Sequence, residues 1–348
     1  MKKIPVGILG ATGSVGIRFV ELLVNHPWFE ITALAASERS AGKKYRETIQ
    51  SRLTFELPPE IGDMTVRPCE PGLPCRLVFS GLDSAVAGGI EKAFANAGYA
   101  VVSNSKNHRM DTNVPLLVPE VNADHLGLVA HQSFGDGMIV TNPNCSTVGL
   151  VMGLKPLHDN FGLDAVHVVT MQALSGAGYP GVPSVDIIDN VIPYIGGEED
   201  KVETEPLKIL GRLNGDRIDY IELPVSASCN RVAVLDGHLE SVSVKLKTAA
   251  EPEELIRAWN TYRGEPQELD LPLAPPQPLR YFTEPQYPQP KLHRDLGKGM
   301  VVSVGRLRKC NLLDYKFTVL SHNTVRGAAG GAILNAELMV KKGMLGSV

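Results

Sequence analysis

Apolar residues are spaced in two ways along this chain, and the change comes near residue 145. Before it, short apolar runs alternate with stretches of helical spacing. Pro5–Leu9 (PVGIL), Ile31–Ala36 (ITALAA), Arg76–Ser80 (RLVFS), Tyr99–Ser103 (YAVVS) and Met138–Thr141 (MIVT) predict strands. Ser14–His26 predicts a helix, because Val15, Phe19, Leu22 and Leu23 fall on one face, and Ser84–Ala97 predicts another. Strands that alternate with helices imply an α/β fold with a Rossmann-type, doubly wound parallel sheet.

Beyond residue 145 the rhythm changes. Thr147–His158 predicts a helix, and Ala165–Met171, Arg231–Val234, Val242–Lys247, Gly299–Leu307 and Tyr315–Ser321 predict strands with few helices between them. Val242–Lys247 shows clear in–out alternation. A second, α+β domain with a mixed or antiparallel sheet follows from this pattern. Eight prolines lie between Pro266 and Pro290, too many for a central strand. Val325–Lys342 predicts a closing amphipathic helix with small residues on one side. The 348 residues suit two domains of ~100–200 residues each.

Charge narrows the function. The 34 Lys and Arg against 38 Asp and Glu leave a net charge of −4, which argues against a nucleic-acid binder. No apolar run approaches the ~18–20 residues of a membrane span. A glycine-rich loop stands where a signal peptide would need its apolar region, so a cytoplasmic protein is expected. The five cysteines (Cys69, Cys75, Cys145, Cys229 and Cys310) are scattered, without the spacing of a disulfide framework or a zinc site. No metal is expected.

Two motifs carry chemistry. Gly10-Ala-Thr12-Gly13-Ser14-Val15-Gly16 sits directly after the first strand and directly before a helix. Glycines there let the backbone turn sharply and approach a pyrophosphate, which rests on the free N–H groups of the helix. The end of the second strand then selects the dinucleotide. Glu38 would suit the ribose hydroxyl of NAD; Ser37, Arg39, Ser40 and Lys43 would suit the 2′-phosphate of NADP. The donors outnumber the acid, so NADP is expected.

The second motif is Asn142-Pro-Asn144-Cys145-Ser-Thr-Val-Gly149, between the fifth strand and a helix. The positive end of a helix dipole lowers the pKa of a thiol at its N-terminus, and the strand's carboxyl end is where doubly wound sheets bind ligands. Cys145 is therefore the expected nucleophile. Its proton partner would be a histidine; His238, between two strand-like runs, is one of nine in the chain. A dinucleotide and a thiol together imply attack on a carbonyl, with hydride passing between the adduct and nicotinamide: an aldehyde dehydrogenase or an acyl reductase.

These motifs resemble those of aspartate-semialdehyde dehydrogenases, in particular the archaeal and fungal branch. The resemblance runs almost end to end, through GATGSVG, SNSKNHRM, VPEVN, TNPNCSTVG, QALSGAGYPG, ETEPLKILG, RVAVLDGH and SHNTVRGAAGG. It implies reversible NADPH-dependent reduction of 4-phospho-L-aspartate to L-aspartate 4-semialdehyde and phosphate, on the route to lysine, methionine and threonine. It further implies Cys145 as the thioester-forming nucleophile, His238 as the acid/base and Gln172 as the residue that orients the acyl group. Arg231 would clamp the α-carboxylate, Glu205 would pair with the ammonium, and Lys208 and Arg109 would hold phosphate with Asn144 nearby. Ser175, Gly176 and Asn323 would meet the nicotinamide end.

The resemblance also implies a domain division. Residues 1–146 with 322–348 would bind the cofactor, the C-terminal helix returning to that domain. Residues 147–321 would form the substrate domain, whose sheet makes a homodimer or homotetramer. The nearest rivals on the same scaffold are malonyl-CoA reductase and N-acetyl-glutamyl-phosphate reductase; a rival of another class is a non-catalytic dinucleotide-binding regulator.

Overall fold

A computed structural model describes residues 3–49, 53 and 55–345. Six parallel strands form the first sheet: β1 (Ile4–Leu9), β2 (Phe29–Ala36), β3 (Arg67–Pro68), β4 (Leu77–Ser80), β5 (Ala100–Ser103) and β6 (Met138–Thr141), in the order β3-β2-β1-β4-β5-β6. All four residues of β4 and of β5 are buried, as expected of parallel strands covered on both faces. The order reverses between β1 and β4. A crevice opens at such a switch point, outside the carboxyl ends of the strands. Only β3 has no counterpart in the sequence reading; at two exposed residues, one of them proline, it leaves no hydrophobic pattern.

The second sheet is mixed. Its strands are β7 (Leu163–Gln172), β10 (Val225–Arg231), β11 (His238–Leu246), β12 (Leu279–Phe282), β13 (Val302–Lys309) and β14 (Tyr315–Ser321), in the order β10-β7-β11-β14-β13-β12. A separate hairpin pairs β8 (Arg212–Asn214) with β9 (Arg217–Asp219). The strand expected over Arg231–Val234 instead ends at Arg231. Its half-exposed, weakly apolar sequence, VSASCNR, lies at a sheet edge where packing constrains composition least. The proline-rich stretch does contain a strand, β12, but it is a proline-free run of four residues, LRYF, at the opposite edge.

Each sheet has its own core. Phe19, Phe29 and Phe79 pack together in the first, with Phe19 and Phe79 stacked at 5.1 Å. Ile333, Leu334 and Leu338 of the C-terminal helix belong to the same core. Each such buried side chain is worth about 1.5–3 kcal/mol, enough to hold the chain end there. This helix (Gly330–Lys341) is buried on every side from Gly330 to Val340, not amphipathic as its sequence suggested. Small residues let neighbours approach it all round. A π-helical turn, Val325–Ala329, leads into it. Asn335 donates to Asn142 Oδ1 at 2.6 Å and Asn142 donates to the Ala328 carbonyl at 2.7 Å, tying this segment to the loop that carries Cys145. The Cys145–Phe161 helix packs into the second core beside Val242, Phe317 and Val319. No helix among the described residues is long and apolar enough to cross a membrane.

Candidate active site

The loop that carries Cys145 starts where β6 ends. Asn144 caps the next helix: its Oδ1 accepts from the backbone N–H groups of Ser146 (2.9 Å) and Thr147 (3.3 Å). Cys145 is thereby the first helical residue, and it opens onto a cleft of about 360 Å³ between the two sheets. His238, the first residue of β11, brings Nε2 to 3.1 Å from Cys145 Sγ. The backbone N–H of Ala173 donates to His238 Nδ1 at 3.0 Å. The neutral ring therefore carries its hydrogen on Nε2, facing the sulfur.

The surroundings set both protonation states. Burial pushes the Cys145 thiol up to about 12, and the Glu198 carboxylate pushes the same way against Arg109, Arg231 and Lys201. Burial, with the Arg231 guanidinium, pushes the His238 imidazolium down to about 3. At neutral pH the pair rests as thiol and neutral imidazole. The helix N-terminus alone does not make Cys145 a thiolate, because the sulfur lies beside a carboxylate in a poorly solvated corner.

Charged groups surround the pair. Arg231 ends β10, in register with Gln172 at the end of β7. It is held by a 2.7 Å bond from Nη1 to the Ala173 carbonyl. The loop Leu174–Ala177 crosses above: a Cβ on Gly176 would lie 2.9 Å from Arg231 Nη1 and 3.2 Å from His238 Nε2. Across the cleft, Arg109 donates to Glu205 (2.8 Å) and to the Asn104 carbonyl (2.8 Å), while its buried Nε has no partner.

Glu198 accepts from Asn144 Nδ2 at 2.7 Å and from Lys201 Nζ at 2.6 Å, and the Gln172 amide also reaches it. Burial alone would raise the Glu198 carboxyl; the Lys201 charge and the hydrogen bonds from Lys201, Asn144 and Gln172 together outweigh that and hold it below its ordinary range. Glu198, Lys201, Arg109, Asn144 and Cys145 all line the cleft.

Two residues expected here lie elsewhere. Both Glu205 oxygens are committed, one to Arg109 and the other to the Asn144 backbone N–H at 2.7 Å. Lys208 is fully buried, and its ammonium donates to the carbonyls of Arg109 (2.8 Å), Asp111 (2.7 Å) and Val114 (2.8 Å). Three bonds exhaust its three donors, so it has none for a phosphate. The groups that do line the cleft, Glu198 and Lys201, were missed. The helix Glu198–Ile209 contains Glu-x-x-Lys twice, seven residues apart. A seven-residue offset leaves both pairs on one face, and spacing alone does not tell which pair meets the cleft.

The same cleft runs to Ser14 and Val15 of the glycine turn and passes Ser175, Gly176 and Asn323. Gly10 has φ +74°, and a Cβ there would lie 2.7 Å from the Gly81 carbonyl; one on Gly16 would lie 2.1 Å from the Gly10 carbonyl. No side chain caps the Ser14–Leu23 helix, which leaves its first N–H groups free for an anion. Asn323 donates to Ser175 Oγ at 2.8 Å and accepts from Gly237 N–H at 2.8 Å, joining three loops at the far end. Ser37, Arg39 and Lys43 stand exposed and Ser40 half-buried in the turn after β2. These residues fit a dinucleotide.

Comparison with known proteins agrees with this geometry. A semialdehyde dehydrogenase NAD binding domain model matches residues 5–129, and a semialdehyde dehydrogenase dimerisation domain model matches residues 154–326. An aspartate-semialdehyde dehydrogenase of Archaeoglobus fulgidus is 52% identical over 341 residues, 97% of this chain and 98% of its own length. The chain belongs to the aspartate-semialdehyde dehydrogenase family. A second member, from Saccharomyces cerevisiae, is 47% identical over 363 residues, 99% of each chain. The crystal structure of aspartate semialdehyde dehydrogenase with NADP from Candida albicans matches the fold with a TM-score of 0.90 at 47% identity, over 97% of this chain and 98% of that one. Membership makes the chain an oxidoreductase, with archaeal and fungal relatives as its motifs implied.

Proposed function

We propose that this chain catalyses the reversible NADPH-dependent reduction of 4-phospho-L-aspartate to L-aspartate 4-semialdehyde and phosphate. One observation carries the reading: Cys145, 3.1 Å from His238, lines a cleft with Arg109, Lys201 and Glu198, and Arg231 lies beside His238 behind Gly176. Those charges complement a carboxylate, a phosphate and an ammonium. Arg231 clamps the α-carboxylate. Arg109 and Lys201 take the phosphate, with Asn144 beside them. Glu198 takes the ammonium, the task the sequence had pointed to Glu205. Malonyl-CoA has no ammonium for a cleft carboxylate to meet, so Glu198 favours the aspartyl substrate.

Protons follow from the resting state. The Cys145 sulfur bonds to the acyl carbon as the carbon–oxygen bond to phosphate breaks, and the thiol proton leaves with the phosphate. The product is a thioester, oriented by Gln172. NADPH, when bound, supplies a hydride to the thioester carbon. The His238 Nε2–H hydrogen-bonds to the hemithioacetal oxyanion that results, and as the carbon–sulfur bond breaks this oxyanion becomes the aldehyde carbonyl and the bonding pair goes to the sulfur. The sulfur regains one proton drawn from solvent. NADP fits the glycine turn Gly10–Gly16 with Thr12, Gly13, Ser14 and Val15, its 2′-phosphate on Ser37, Arg39, Ser40 and Lys43, and its nicotinamide end near Ser175, Gly176 and Asn323.

We take residues 1–146 with 322–348 as the cofactor unit and 147–321 as the substrate unit. We also assign a homodimer. Val185 (85% exposed), Ile188 (67%), Val191 (54%) and Tyr194 (68%) form an apolar stretch that a second copy would cover. A monomer in sedimentation at micromolar concentration would refute it. The cytoplasm, which supplies reduced dinucleotide, is the compartment we assign.

The deciding assay is NADP reduction with L-aspartate 4-semialdehyde, with phosphate varied and Cys145→Ala as control. Activity that needs both phosphate and Cys145 supports the reading; a folded, NADP-binding protein without activity refutes it.

A further inference from the structure

We propose that Glu205, braced by Lys208, is a positioning residue that holds the phosphate-binding guanidinium of Arg109 in register with Cys145; this rests on the reading of the cleft given above. One carboxylate makes both connections. Glu205 Oε1 accepts from Arg109 Nη1 at 2.8 Å, and Oε2 accepts from the backbone N–H of Asn144 at 2.7 Å. Asn144 is the helix cap and directly precedes the nucleophile. The anion-binding group and the thiol thus hang from the same two oxygens, although Arg109 and Glu205 are 96 residues apart in sequence.

Lys208 fixes the other end of this link. It lies one helical turn beyond Glu205, and its ammonium gathers the carbonyls of Arg109, Asp111 and Val114. Arg109 is therefore gripped at its backbone by Lys208 and at its side chain by Glu205 and the Asn104 carbonyl. Burial pulls the Lys208 ammonium down to about 8, yet three carbonyl acceptors suit only the charged form. The two side-chain bonds of Arg109 leave three of the five guanidinium N–H groups, the buried Nε–H among them, on a side chain that lines the cleft. The carboxylate faces away from the substrate ammonium, which Glu198 meets.

The charge on Glu205 matters as much as its reach. A glutamine has the same size but offers one acceptor and one donor. It can serve Arg109 or the Asn144 N–H, not both, and its own N–H would oppose the other.

The experiment compares Glu205→Gln with the full-length wild type in phosphate-dependent oxidation of L-aspartate 4-semialdehyde, with inorganic phosphate titrated. We expect kcat to fall about tenfold to a hundredfold while KM for phosphate and for the aldehyde each move less than about threefold. An unchanged kcat overturns the inference, as does a loss confined to KM for the aldehyde, which would put Glu205 on the substrate ammonium. If thermal unfolding shows that Glu205→Gln does not fold, Arg109→Lys tests the same link. It keeps a cation for phosphate but cannot span Glu205 and Asn104. A kcat loss with phosphate KM retained supports the inference, and full kcat overturns it. Arg109→Ala tests the underlying reading separately: an unchanged phosphate KM removes phosphate from Arg109 altogether.

Discussion

Gly327 lies in backbone contact with Cys145. A Cβ on Gly327 would sit 2.8 Å from Cys145 Cβ and 3.0 Å from its Cα and carbonyl oxygen. The π-helical turn that contains Gly327 is thus the back wall of Cys145, and no side chain fits between them. Gly327→Ala should push Cys145 away from His238. A misplacement of ~1 Å costs up to about a hundredfold in rate, so kcat should fall by about that factor while NADP binding persists. Normal kcat in the folded variant would show that the wall yields.

Glu198 should restrain the thiol. Its carboxylate is the main charge opposing ionisation of Cys145, after burial itself. Glu198→Gln removes that charge, so the thiol pKa falls and more thiolate is present at any fixed pH. Iodoacetamide should then alkylate Cys145 faster than in the wild type at pH 7, while KM for L-aspartate 4-semialdehyde rises. Slower alkylation would contradict the sign of the interaction.

Glu240 should make the fold more stable in acid than in base. It lies two residues beyond His238 on the same face of β11, is 1% exposed, and neither oxygen has a hydrogen-bond partner. Burial raises its pKa well above the ordinary 4.5. Above about pH 4.5 the unfolded chain releases this proton and the native chain keeps it, so its contribution to stability declines as pH rises. Glu240→Gln abolishes that term. Its Tm, relative to wild type, should climb between pH 5 and pH 8; a difference independent of pH would mean that Glu240 is ionised in the native state.

The turn after β2 should set cofactor choice. Arg39 is exposed there beside Ser37 and Ser40. Arg39→Ala should raise KM for NADP about tenfold, the effect of losing one hydrogen bond to a charged group, and leave KM for NAD unchanged. Equal effects on both dinucleotides would remove Arg39 from the 2′-phosphate.

Much of this was legible in the chain. The strands of the first sheet, except β3, emerged from apolar runs, because parallel central strands are buried on both faces and leave an unbroken signal. Met138–Thr141 and Tyr315–Ser321 agree with the structure to the residue. β10 emerged poorly, since an edge strand of Ser, Ala, Cys and Asn has no apolar alternation to read. The C-terminal helix looked one-sided because its small residues pass for a polar face, whereas in the fold they let neighbouring segments pack closely all round.

The site divides in the same way. Local sequence was enough to place the glycine turn and Cys145 each at a helix start, because a short motif encodes that backbone geometry completely. Which histidine faces the thiol, which Glu-x-x-Lys pair reaches the cleft, and whether the thiol is ionised depend on what lies across the molecule. His238 meets Cys145 over 93 residues, and Lys208 reaches Arg109 over 99. Two pairs on one helix face, identical in spacing, end up in the cleft wall and in a buried scaffold because one end of the helix faces the cleft and the other is buried against the Arg109 loop. Burial and distant charges are properties of packing, and the tertiary structure alone decides them.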